Sequence, residues 1–89
     1  MNSDKSNVEY RIFSSQIYEA EGKIVKALEE RKIVDKFDPW NLNNKFILAG
    51  YYEKLNDKTS AKSLYSEVAK APANQPEVKQ AQDALTRIG

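Results

Sequence analysis

Residues 46–57 read FILAGYYEKLND, and the reading given to them decides the fold of the chain. Phe46, Ile47, Leu48 and Ala49 lead into Gly50, two adjacent tyrosines and then Asn56-Asp57. The stretch does not alternate apolar with polar, so it is no strand; a run of helix formers closed by Asn-Asp predicts a helix end and a turn. Shifting the chain by 34 residues, from Tyr52 back to Tyr18, brings IFSSQIYEAEGK (12–23) onto it. In that register Tyr18 meets Tyr52, Glu19 meets Glu53, Ala27 meets Ala61, Val34 meets Val68 and Lys36 meets Lys70. Gly22 falls on Asn56 and Ser15 on Ala49, while Val8 and Leu42 align with Pro76 at three successive helix starts. The tyrosine pair therefore reads first as packing within a repeat, and only second as a ligand cage.

Working outward, residues 1–6 form a polar lead-in, and Ser6 followed by Glu9 is a capping box that starts a first helix near Asn7. Tyr10, Ser14, Ile17, Tyr18 and Glu21 stripe that helix as far as Gly22. A second helix runs from Lys23 to Lys36, with Ile24, Ala27, Leu28 and Val34 on one side and the run EERK on the other. Phe37-Asp38-Pro39 closes it, because the residue before a proline avoids the helical region. Asn41 is a good N-cap for a third helix reaching Leu55, and Asp57 caps a fourth from Lys58 to about Ala71. The loop APANQ leads to Pro76 in the first helical position, and Val78, Ala81, Leu85 and Ile88 stripe a fifth helix. Five short helices joined by tight turns pack as antiparallel neighbours, so the class is all-α.

Composition bounds what such a chain does. Its 89 residues suit one small domain, with 40% apolar and 30% charged residues and a mean hydropathy of −0.71. No apolar run approaches the ~18 residues of a membrane span, and MNSDKSN is no signal peptide. The expected setting is soluble, in the cytoplasm or periplasm, or as the soluble part of a membrane-anchored parent. There is no cysteine and no histidine, which removes the usual zinc ligands, nucleophile–base pairs and the commonest general base. The carboxylates are mixed into a solvated charge pattern, so neither catalysis, metal nor cofactor is expected. Fourteen basic against 13 acidic residues leave a net charge of +1 and no basic stripe for nucleic acid.

The period and spacing resemble the tetratricopeptide repeat, a 34-residue helix–turn–helix with a Leu-Gly…Tyr…Ala…Phe…Pro pattern. In the second unit Leu48-Ala49 stand for the Leu-Gly pair, Tyr52 for the tyrosine, Ala61 for the small residue, Tyr65 for the aromatic and Val68 for the apolar residue beyond it. Pro72 falls one place early. In the first unit Ser15, Tyr18, Ala27, Val34 and Pro39 match, while Arg31 takes the aromatic position, Ser14 the leucine, and Arg11 and Lys45 the frequent tryptophan. The resemblance implies an α-solenoid of two units, 7–41 and 42–75, with 76–89 as a capping helix. It implies a protein-binding role: a concave groove presented to a peptide or helix of a partner.

In that register small residues at 15, 27, 49 and 61 let helices approach, and Tyr18, Tyr52 and Tyr65 fill the gaps beside them. Tyr52 is expected in the core, and Tyr51 against the unit's own second helix. Trp40 is expected to cover the turn beside Phe37; left bare, it would suggest an interface hot spot. The partner-binding residues implied on the concave face are Ile12, Gln16, Glu19, Asn43, Phe46, Gly50 and Glu53. Phe46 and Ile12 face the groove unless a terminal helix folds over them. Gly50 is either tolerated drift or a place where a partner's backbone comes close. Repeat domains of this family that hold chaperone C-termini use a lysine–asparagine pair where this chain has Ile12 with Gln16 and Phe46 with Gly50. A segment with apolar anchors and some basic character fits better, since Glu19 and Glu53 give the groove an acidic edge. Two other readings stand beside this one. DPWNLNNKFILAGYYEKLND is similar to soluble repeat tails of bacterial O-antigen ligases and polymerases, which implies an accessory domain of a membrane enzyme. A homo-dimer closed through Phe46 and Ile12 is the third.

Overall fold

A computed structural model describes residues 3–72 and 74–88, and among them it is all-helical. The elements are α1 (Ser3–Ala20), α2 (Ile24–Phe37), α3 (Leu42–Lys54), α4 (Lys58–Ala69) and α5 (Pro76–Ile88). Each helix packs on the next in sequence, and α3 also touches α5. The principal extents are 37 × 29 × 17 Å, a slab about two helices thick given interaxial distances of roughly 8–10 Å.

The first helix starts at Ser3, earlier than the Ser6–Glu9 box suggested. No proline or glycine interrupts residues 3–7, so the helix continues through them. The later caps lie where the sequence puts them. The Asn41 side chain accepts from the Asn44 N–H at 3.0 Å, and Asp57 accepts from the Ser60 N–H at 3.2 Å.

The turns ending α1 and α3 share one hydrogen-bond pattern at the 34-residue offset. The Lys23 N–H donates to the Tyr18 carbonyl at 2.8 Å, as Asp57 does to Tyr52 at 2.8 Å. The Gly22 N–H donates to the Glu19 carbonyl at 3.0 Å, as Asn56 does to Glu53 at 3.0 Å. This is the Schellman arrangement, which needs a left-handed residue; Gly22 has φ 79° and Asn56 φ 64°. Glycine and asparagine are the two residues that take this conformation most readily.

The core forms two clusters bridged by the half-buried Tyr52 and Leu64. One joins Ala27 and Leu28 of α2 to Leu48 and Tyr51 of α3. The other joins Ala49 of α3, Ala61, Tyr65 and Val68 of α4, and Ala81 and Ala84 of α5. Ala27, Ala49, Ala61 and Ala81 are fully buried, and methyl-sized side chains at these crossings let the backbones approach closely.

The tyrosine assignment is reversed. Tyr51 is the buried member of the pair and packs with α2, the helix of the preceding hairpin; Tyr52 is only half-buried between the two clusters. Adjacent residues sit about 100° apart around a helix, and α3 is apolar on nearly every side, so its sequence carries no phase.

Candidate protein-binding face

A shallow pocket of about 250 Å³ opens between α1 and α3, lined by Glu19, Phe46, Ile47, Gly50, Tyr51 and Lys54. It gathers Glu19, Phe46 and Gly50 from the residues expected on the concave face. Its walls are apolar at Phe46, Ile47 and Tyr51. Its rim is charged at Glu19 and Lys54, whose side chains approach to 3.5 Å.

Phe46 is half-buried, with its ring centroid 5.5 Å from that of Tyr65 and tilted by 57°. Tyr65 of α4 thus supports one side of the Phe46 ring, which also lines the pocket. Gly50 lies beside this pair, and a Cβ built there would meet only the Tyr65 hydroxyl, at 3.9 Å. The Tyr51 hydroxyl donates to Glu19 at 2.8 Å. Burial, then the hydrogen bond to the Glu19 carboxylate, raises the Tyr51 pKa above its usual value.

Glu53 stands apart from this pocket. It accepts from the Tyr65 hydroxyl at 2.8 Å and from both terminal nitrogens of Arg87 on α5, one at 3.0 Å. The Arg87 hydrogen bonds are the main cause of a Glu53 pKa below the ordinary carboxylate value. Burial and the Glu53 hydrogen bond push Tyr65 up to about 12. Ile12 is half-buried, and Gln16 and Asn43 are exposed; none of the three lines the pocket.

No protein-family model, curated protein or solved structure matches the chain.

Other surfaces differ from expectation. Trp40 is 82% exposed and Phe37 51%, so neither covers the α2–α3 turn. Trp40 belongs to neither core cluster, and the alternative of a bare surface tryptophan holds. A second open pocket of about 330 Å³ lies across α2, α3 and α4, bordered by Lys32, Lys36, Leu48, Tyr52, Leu64 and Glu67. Among the described residues no helix is long and apolar enough to cross a membrane.

Sequence reasoning missed a buried polar junction. Arg31 is 3% exposed; its Nε donates to the Ser15 hydroxyl at 2.8 Å and its Nη1 to Asn44 Oδ1 at 3.1 Å. The Asn44 amide nitrogen donates back to the Arg31 carbonyl at 3.1 Å. The signal was present: Arg31 falls at helical spacing between Ala27 and Val34, inside the apolar stripe of α2.

Proposed function

We propose that the chain is a tetratricopeptide-like interaction module that receives a segment of another protein on the face formed by α1 and α3, without catalysis of its own. The single observation that carries this reading is the α1–α3 pocket, where an apolar wall, a helical glycine and a charged rim come together. A glycine inside a helix costs about 1 kcal/mol against alanine, and the missing side chain at Gly50, where a Cβ would meet only the Tyr65 hydroxyl at 3.9 Å, suits the close approach of a partner's chain. The repeat part of the reading is supported by the matched turns at Gly22 and Asn56 and by the alternation of α2 and α4 between the first helices.

The partner chemistry follows from what the rim groups already do. Glu19 is engaged by Tyr51 and Lys54, and Glu53 by Tyr65 and Arg87. Carboxylates held within the chain give little reason for a basic partner at this pocket. An apolar anchor side chain against Phe46, Ile47 and Tyr51 is the feature selected.

The test is a peptide-display selection with the wild-type chain and a Gly50→Met variant. The variant adds a large side chain at a residue that lines the pocket, where a Cβ makes only an ordinary contact with the Tyr65 hydroxyl at 3.9 Å. Wild type should enrich peptides carrying one large apolar residue, and the variant should lose them at unchanged circular dichroism. Enrichment of the same peptides by both proteins would remove the pocket from the binding site.

A further inference from the structure

The pocket of about 330 Å³ across α2, α3 and α4 is a trough between two helices that stand apart. No Cα of α2 comes within 8 Å of one in α4, while α3 packs on both. Leu48 and Tyr52 of α3 and Leu64 of α4 give the trough its apolar surface; Leu48 is buried and the other two are half-buried. Along α4 the lining runs from Ser60 to Glu67, about 10 Å at ~1.5 Å per residue.

The charged groups of this trough divide into a satisfied set and an unsatisfied one. Lys45 of α3 reaches Asp35 at 2.8 Å and Glu67 at 3.5 Å, so both lining carboxylates already have a cation. Lys32 and Lys36, one turn apart on α2, have no carboxylate within 4 Å among the described residues. Glu29 borders a neighbouring hollow with the same two lysines, and it too stays beyond that distance. The hydroxyls divide in the same way. Ser60 donates to Asp57 at 2.9 Å, whereas those of Tyr52 and Ser63 donate to no described residue. The Tyr51 and Tyr65 hydroxyls, by contrast, are spent on Glu19 and Glu53.

Charge and length select the occupant. With Lys45 counted, three ammoniums face two carboxylates, and the two ammoniums without partners stand beside an apolar surface. A group that brings one negative charge next to an aliphatic side chain complements this arrangement. A phosphate would bring close to a second charge against Asp35 and Glu67. Extended chain advances roughly 3.3 Å per residue, so about three residues run the length of the trough. An open trough takes a passing segment of chain, whereas small-molecule sites enclose most of their ligand.

We propose that the trough between α2 and α4 binds an extended acidic segment of another protein. One aliphatic side chain of the segment lies against Leu48, Tyr52 and Leu64, and an aspartate or glutamate beside it is held by Lys32 and Lys36. The Tyr52 and Ser63 hydroxyls supply donors for the segment's backbone carbonyls. This site is separate from the α1–α3 pocket and does not depend on it.

The test titrates the isotope-labelled full chain with short end-capped peptides whose centre reads Leu-Ala-Glu, Leu-Ala-Gln or Leu-Ala-phosphoserine. The glutamate peptide should shift the amide resonances of Lys32, Lys36, Ser63 and Leu64, with the glutamine peptide roughly fivefold weaker. Salt at about 0.5 M should remove that difference, since the lysines are exposed. Lys32→Gln combined with Lys36→Gln should weaken the glutamate peptide by the same roughly fivefold at unchanged circular dichroism. Gly50→Met should leave this binding as it is. Equal binding of the glutamate and glutamine peptides, undiminished binding by the lysine variant, shifts confined to Phe46 and Gly50, or no saturable shift would overturn the proposal. So would tighter binding of the phosphoserine peptide, because the occupant would then be a phosphorylated segment.

Discussion

Gly50 and Gly22 are held in place by opposite physics. Gly50 has ordinary helical backbone, and the nearest atom to a Cβ is the Tyr65 hydroxyl at 3.9 Å, an ordinary van der Waals contact. Alanine there should raise stability by about 0.5–1 kcal/mol, the usual gain at an unstrained helical glycine. Urea unfolding of Gly50→Ala measures it, and a loss of stability would show that the helix at this point is strained. Gly22 has nothing within 4 Å of a Cβ, but its φ of 79° lies in the left-handed region. There the cost of a side chain is set by the backbone and not by neighbours. A glycine whose only penalty is local, and which the fold does not require, is the more informative of the two about binding.

At the scale of elements, a buried polar junction occupies positions whose counterparts 34 residues on are mostly apolar. Arg31, Ser15 and Asn44 meet where α1, α2 and α3 adjoin, and the residues 34 positions further on are Tyr65, Ala49 and Val78. The second set is buried and mostly apolar; the first is a buried cation among neutral oxygens, with no carboxylate against Arg31 among the described residues. Removing one member strands the others, and an unsatisfied buried polar group costs about 1–3 kcal/mol. Arg31→Ala should therefore destabilise the chain by roughly 3 kcal/mol. The combined change Arg31→Tyr, Ser15→Ala and Asn44→Val, which copies the residues at the 34-residue offset, should be less damaging than the sum of its single changes. A urea-unfolding cycle over these variants tests the point. Strict additivity would mean that the three residues do not act as a unit.

Across the whole molecule, charged contacts tie each first helix to the next. Glu19 links α1 to α3 through Tyr51 and Lys54, and Glu53 links α3 to α5 through Arg87. Lys45 of α3 reaches Asp35 of α2 at 2.8 Å and Glu67 of α4 at 3.5 Å. Burial lowers the Lys45 pKa, but the hydrogen bond and charge of Asp35, with Glu67, outweigh it and leave the value raised. These links set the pH range of the fold. Tyr65 is raised from 10.0 to about 12, so its contribution is complete below 10.0 and is lost as the pH climbs through about 12. Tyr51 is shifted in the same direction. Glu53 is shifted below 4.5, so its contribution is complete above 4.5 and fades as the pH falls through its lower folded value. Thermal unfolding should show a plateau at neutral pH, an alkaline decline between 10.0 and about 12, and an acid decline below 4.5. A Tyr65→Phe variant should have the shallower alkaline decline; an identical decline would assign the loss to other groups.

The sequence by itself determined the helical class, most of the helix ends and the positions of the turns. Asn41 and Asp57 as caps, Pro76 at a first helical position, and the pairing of Gly22 with Asn56 all act within a few residues of themselves. Signals of that range survive in a linear string. The tertiary structure decided which of Tyr51 and Tyr52 is buried, that Tyr65 supports the Phe46 ring, and that Trp40 stands bare. It also decided that Glu53 belongs to Arg87, 34 residues further on, and that an arginine closes the junction of three helices. Helical periodicity states that a helix has an inner face. The direction of that face is set by the helices that cross it, and on α3, apolar nearly all round, only the crossing of α2 and α4 could choose.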